Sequence, residues 1–308
     1  MLKKSLISLS PIIAIYCMWS VITLSVFVLG LFLAGIDSLL KFTIPVSIAF
    51  FIMLASLSTA IFMVYAEPEL QKKPVLRYIS ILLTVFLGIG LFIFIRQTGN
   101  KSIVLFVIVS ANLMVFANLI GAWIITPLEQ PSELVLLCAV MSLSDIFSVF
   151  SGPTRFIAQS VDQYYKGGMK GDVPIGDFLL IKIAVPGLDE LMPVFGIADW
   201  IIIAFLASAV VKFEMNDNLV GRSLDTMVKE KRLSVYLPAA SAGLFAAVFS
   251  AQYFNIFLPA LPVVSLFFLT YILAKYPVAR NLNRKDWILL FSFSGCMIGI
   301  FALICYRT

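Results

Sequence analysis

Long apolar runs, following one another with only short polar breaks, constrain this chain more than any motif it contains. The hydrocarbon core of a bilayer is crossed by about 20 mostly apolar residues in a helix. Nine stretches meet or approach that requirement: 12–35, 42–66, 78–95, 102–125, 132–150, 193–211, 234–255, 257–274 and 287–305. Lipid offers no partner to a free backbone N–H or C=O, so each stretch is expected to be a helix. The composition agrees: 61% of residues are hydrophobic and 13% charged, where a soluble domain carries about a quarter charged. The expected fold is therefore all-α, a multi-pass integral membrane protein with about nine transmembrane helices. The first apolar run, after Met1-Leu2-Lys3-Lys4, exceeds the ~7–15 residues of a signal-peptide core and is expected to be a retained span.

The net charge of +5 does not point to nucleic acid, because the basic residues sit in the short breaks, where they orient spans. With the N-terminus inside, 14 of the 22 Lys and Arg residues fall on the inner side. That bias places the C-terminus and the longest break outside. The basic run Lys229-Glu230-Lys231-Arg232 reads as an inner flank suited to membrane lipid.

The longest break, 151–192, holds Tyr164-Tyr165, Gly167-Gly168 and several charges. Within it, 178–185 is too short to span and rich in β-branched residues. It is expected to be a strand or a re-entrant piece surrounded by protein rather than lipid. Asp177, just before it, reads as a loop residue. Asn112, Asn118, Gln252 and Asn255 lie within or at the ends of apolar runs, where amides hydrogen-bond between helices.

Two carboxylates do not fit the solvated pattern of the others. Asp145 lies about eleven residues into the run that starts at Leu134, and Asp199 several residues into the run that starts at Pro193. An Asp at mid-bilayer costs about 2.5–3.5 kcal/mol. One alone reads as a structural hydrogen-bonding residue. Two, on runs that flank the one long break, point to a working site. Facing carboxyls in a low dielectric cannot both ionise cheaply and hold one proton between them. The ionised member can then take a proton from attacking water while the protonated member donates to a carbonyl oxygen. This chemistry needs no metal, no cofactor and no imidazole, and the chain has no histidine. The four cysteines, Cys17, Cys138, Cys296 and Cys305, lack metal-ligand spacing and read as small hydrophobes.

These residues carry a resemblance. Asp145, followed by Gly152-Pro153-Thr154-Arg155, resembles the sixth-helix region of presenilins. Gly196-Ile197-Ala198-Asp199 resembles the Gly-x-Gly-Asp motif of the seventh helix, and Pro259-Ala260-Leu261 the Pro-Ala-Leu motif that opens the ninth. The three stand in family order, with the aspartates 54 positions apart and Pro259 60 beyond Asp199. The short interval is similar to that of signal peptide peptidases and prokaryotic presenilin homologues. Ser144 stands where the family has a tyrosine, and Ala198 where it has a glycine.

The resemblance implies an intramembrane aspartyl protease of a prokaryotic cell membrane. Asp145 and Asp199 would be its catalytic pair, and Gly196, Pro259, Ala260 and Leu261 would contact a transmembrane-helix substrate. It also implies that 178–185 pairs with the unwound substrate as a strand. An N-terminal bundle (1–130), a catalytic core (131–275) and a C-terminal helix (276–308) would follow. The same aspartates leave two other readings open: a proton-coupled transporter or ion-leak channel, and a presenilin-like membrane scaffold without activity.

Overall fold

The computed structural model describes residues 2–33, 37–99, 101–254 and 258–280, with isolated positions beyond. Of the described residues, 77% are helical. Helices α1 (Leu2–Leu31), α2 (Asp37–Ile61), α4 (Pro74–Thr98) and α5 (Ile103–Ile124) form the first part. A π turn at Phe62–Ala66 carries α2 directly into the short α3 (Glu67–Lys72). Among the described residues, four helical stretches are long and apolar enough to cross a membrane, and a fifth joins them if α6 (Glu133–Ser151) and α7 (Pro153–Lys166) are taken as one bent span.

The later apolar runs are shorter helices than expected. Helices α8 (Ile197–Lys212), α10 (Ala239–Phe254) and α11 (Ala260–Lys275) have 16 residues each, about 24 Å at 1.5 Å per residue, less than the ~30 Å of a hydrocarbon core. In the expected span 193–211 the first residues are extended instead of helical, because they belong to strand β2 (Met192–Gly196). The seven-residue α9 (Leu224–Glu230) lies between α8 and α10. The stretch 287–305 falls largely outside the described residues.

Between α6 and α7 the axis bends by 54°. Gly152 and Pro153 explain the break. A Cβ on Gly152 would lie 2.7 Å from the Ser148 Cα, so only glycine tolerates that approach, and Pro153 suits the first position of a new helix.

Helix α8 is the central element, apolar on nearly every side, as a helix enclosed by others must be. Trp200, Ile203, Phe205, Leu206 and Val210 are all buried. It packs against α5, where Gly121 leaves room: a Cβ there would sit 2.6 Å from the Phe205 backbone nitrogen. Helix α11 packs against α10 and α6. One continuous apolar core runs from Trp19 and Phe51 through Phe205 to Phe268 and Ala279.

Asn112 and Asn118 join helices as expected. Asn112 accepts from the Tyr16 hydroxyl at 2.5 Å and donates to the Thr84 carbonyl at 2.9 Å, tying α1, α5 and α4. Asn118 accepts from Thr59 at 2.8 Å, tying α5 to α2. Gln252 departs from that expectation and makes no hydrogen bond to the described residues; Asn255 lies outside them.

The long break folds around a two-stranded antiparallel sheet. Strand β1 (Leu180–Ile183) pairs with β2, with a bulge between Ile181 and Lys182. The strand expected within 178–185 is thus present but shorter. Its other side is closed by α5, whose Ser110 hydroxyl accepts from the Lys182 backbone N–H at 3.1 Å. Asp177 is not the loop residue expected. It is fully buried in a 3-10 turn (Ile175–Leu179). Its carboxylate accepts from the Lys182 ammonium at 2.5 Å and from the Tyr165 hydroxyl of α7 at 2.8 Å. The same ammonium stands 3.7 Å from the centre of the Phe106 ring, a cation–π contact. One buried ion pair therefore joins α5, α7, the 3-10 turn and β1. A second buried pair, Arg77 with Glu67 at 2.5 Å, joins α4 to α3.

Beyond α8, Asp217 is buried and accepts from the Tyr236 hydroxyl at 3.2 Å. Asn218 bridges the Arg222 and Val235 carbonyls, and the Tyr271 hydroxyl of α11 donates to the Asn218 carbonyl at 3.0 Å. Burial pushes the Asp217 carboxyl up to about 7. The folded form therefore favours the proton, and this contribution to stability is present below the ordinary carboxylate range and lost as pH rises through about 7. Asp217→Asn should shrink the fall in Tm between pH 5 and pH 8, read by thermal unfolding in detergent. In the same assay Lys182→Met, which leaves Asp177 buried without its cation, should cost about 3–5 kcal/mol. Asp177→Asn added to Lys182→Met should recover most of the loss.

Candidate active site

A helix that begins inside a protein leaves its first backbone N–H groups without partners. At two helix starts that border one cleft, a carboxylate meets such a group. Helix α8 starts directly from β2, with Gly196 as its N-cap. Asp199, at its third position, turns back and accepts from the Gly196 N–H at 2.9 Å. Helix α11 starts after Pro259. Its Leu261 N–H donates to Asp145 of α6 at 3.0 Å. The positive end of each helix favours a negative group. In both cases Oδ2 is the atom held, and no hydrogen bond to the described residues takes Oδ1.

Both aspartates line one cleft of about 1140 Å³. Gly196, Pro259 and Ala260 line the same cleft. Of the six residues expected at the site, five share this cavity, and Leu261 joins through its bond to Asp145. Strand β2 supplies the wall beside Asp199, while β1 contributes only Leu180. The cleft-side strand is therefore β2, not the 178–185 segment expected to meet an extended ligand. Helices α7 and α10 also line it, with Thr154, Gln159, Val248 and Gln252 among their residues. Ser144 and Ala198, beside the two aspartates in sequence, are exposed and do not line the cleft.

The start of α8 is held firmly. Trp200 is fully buried, its indole N–H donates to Thr59 at 3.3 Å, and its ring centre lies 5.5 Å from that of Phe195 in β2. A Cβ on Gly196 would approach the Asp199 Oδ2 to 3.3 Å, so any other residue there crowds the carboxylate. Helix α11 is tied to α6 by Ser265, which donates to the Cys138 carbonyl at 3.4 Å.

No family model, curated protein or solved structure matches this chain. What the site can do therefore follows from its groups. Among the described residues no cluster of three His, Cys, Asp or Glu side chains is placed to hold a metal ion. Two carboxyls on one cleft, each fixed through one oxygen, provide a proton acceptor and a proton donor when a single proton resides on the pair.

Sequence reading missed the Asp177–Lys182–Tyr165 cluster that supports the cleft wall. The signal available was Lys182, a lone cation in an apolar β-branched run. It also missed that Asp145 reaches α11, since no local pattern connects positions 116 apart. Asp199→Ala removes the acceptor for the Gly196 N–H and should lower stability by about 1 kcal/mol, as lost caps do. Asp199→Asn keeps a carbonyl oxygen there and should lose less, measured by chemical or thermal unfolding in detergent.

Proposed function

We propose that this chain is an intramembrane aspartyl endopeptidase of the presenilin and signal peptide peptidase type. Its substrates would be transmembrane or signal-peptide-like helices, and its setting a nine-helix bundle in a prokaryotic cell membrane. The observation that supports this most is the convergence of Asp145 and Asp199 on one cleft, with the Pro259–Leu261 segment bonded to Asp145. Three separate motifs of the resemblance thus meet at a single cavity.

The reaction needs only these two groups, water and the peptide. The ionised carboxylate removes a proton from water as its oxygen bonds to the scissile carbonyl carbon. The protonated carboxyl gives its proton to the carbonyl oxygen. Collapse of the tetrahedral diol returns a carbonyl, breaks the C–N bond and delivers a proton to the departing amine. The carboxyl that took the water proton is the one that gives it to the amine, and a hydroxyl of the diol returns a proton to the other carboxylate, so the pair ends as it began. Each carboxyl is oriented by a backbone N–H, so little reorganisation accompanies the proton transfers.

A helical substrate hides its peptide bonds in its own hydrogen-bond ladder, so cleavage requires local unwinding. The freed N–H and C=O groups need partners in a water-poor site. Strand β2 offers them by strand addition. It faces the cleft, leads directly into the Asp199 helix, and carries Pro193, a residue tolerated at sheet edges.

The test is cleavage of a single-span substrate by purified protein in liposomes. Asp145→Asn and Asp199→Asn should each abolish product, about a hundredfold or more below the parent protein, while the protein stays folded. Ordinary cleavage by either variant overturns the proposal. Proton flux that depends on the aspartates, with no peptide product, would favour the transporter reading.

A further inference from the structure

An extended peptide has two edges, and a strand laid against β2 satisfies only one of them. Its other edge carries alternating N–H and C=O groups toward the rest of the cleft, whose lining includes residues of α7 and α10. Leaving those groups unpaired in a desolvated site is costly. Helix α10 is apolar except at a few positions, and on its cleft side follow Ala247, Val248 and Gln252. Gln252, in the last turn of α10, is exposed and makes no hydrogen bond to the described residues, which leaves its amide available to a molecule in the cleft. From α7, Gln159 lines the same cleft, also exposed and without a hydrogen bond to the described residues.

A carboxamide has a carbonyl acceptor and an NH₂ donor. It can therefore answer either member of the alternating pattern, where Lys or Arg could only donate and an ionised carboxylate only accept. Resting on the protease reading, we propose that Gln252, together with Gln159 of the same cleft, hydrogen-bonds the outer edge of the unwound substrate. The substrate would then be read by its backbone on both sides, β2 on one and the two glutamines on the other. That makes Gln252 a substrate-binding residue whose contact forms in the ground state and persists through the reaction.

Such a contact alters KM more than kcat. In the liposome assay Gln252→Met, similar in length but without the amide, should raise KM about fivefold, the equivalent of one hydrogen bond, with kcat nearly unchanged. Substrates N-methylated at successive residues around the scissile bond supply a readout in the unaltered protein. Methylation at an outer-edge N–H should raise KM in the parent protein, and at one such position the penalty should vanish in Gln252→Met. An unchanged KM in Gln252→Met, or N-methyl penalties that are the same in parent and variant, overturns the inference. Product that persists in Asp145→Asn overturns the protease reading instead, so the two failures are distinguishable.

Discussion

Backbone hydrogen bonding decides where chemistry can sit in this protein. In an apolar setting an unpaired N–H or C=O costs several kcal/mol, and long helices hide nearly all of theirs. The exceptions are the points where a helix starts within the protein interior. Helices α8 and α11 each start there, and the exposed N–H of each is met by a carboxylate, from Asp199 within the same helix and from Asp145 across to α6. The same requirement that shapes the bundle thus holds the two acids at one cleft.

Irregular backbone near such a site has to be enclosed. Strand β1 is closed between β2 and α5, and the buried Asp177–Lys182 pair fastens it to the 3-10 turn and, through Tyr165, to α7. A buried ion pair is a weak source of stability but strongly resists being broken by loss of one partner. Here its consequence is geometric, because it fixes the sheet that leads into Asp199. At the far end of α8, Asp217 and Asn218 tie the chain to Tyr236 and to Tyr271 of α11. The helix bearing Asp199 is therefore held at its start by Trp200 and just beyond its end by this polar knot.

Much of the fold was legible in the sequence. The first four apolar runs became helices long enough to cross a membrane, because period and length alone set that outcome. Asn112 and Asn118 announced interhelical bonds, which they make. The later runs were less legible. Hydropathy does not distinguish Met192–Gly196 as a strand from the α8 helix that follows, since both are apolar. Asp177 looked like any loop carboxylate, because its partners lie on α7 and in β1.

By itself the sequence determined that the chain carries several apolar runs long enough to cross a membrane, that Asp145 and Asp199 are out of place among their neighbours, and that Pro259-Ala260-Leu261 stands in order after them. Those facts depend on composition and spacing. Only the tertiary structure decided that Leu261 bonds Asp145, that β2 rather than β1 supplies most of the strand residues at the cleft, and that Gln252 lines the same cleft. Each is a contact between segments far apart in the chain. Which backbone groups remain unpaired, and which side chains can reach them, is settled only once the helices have packed.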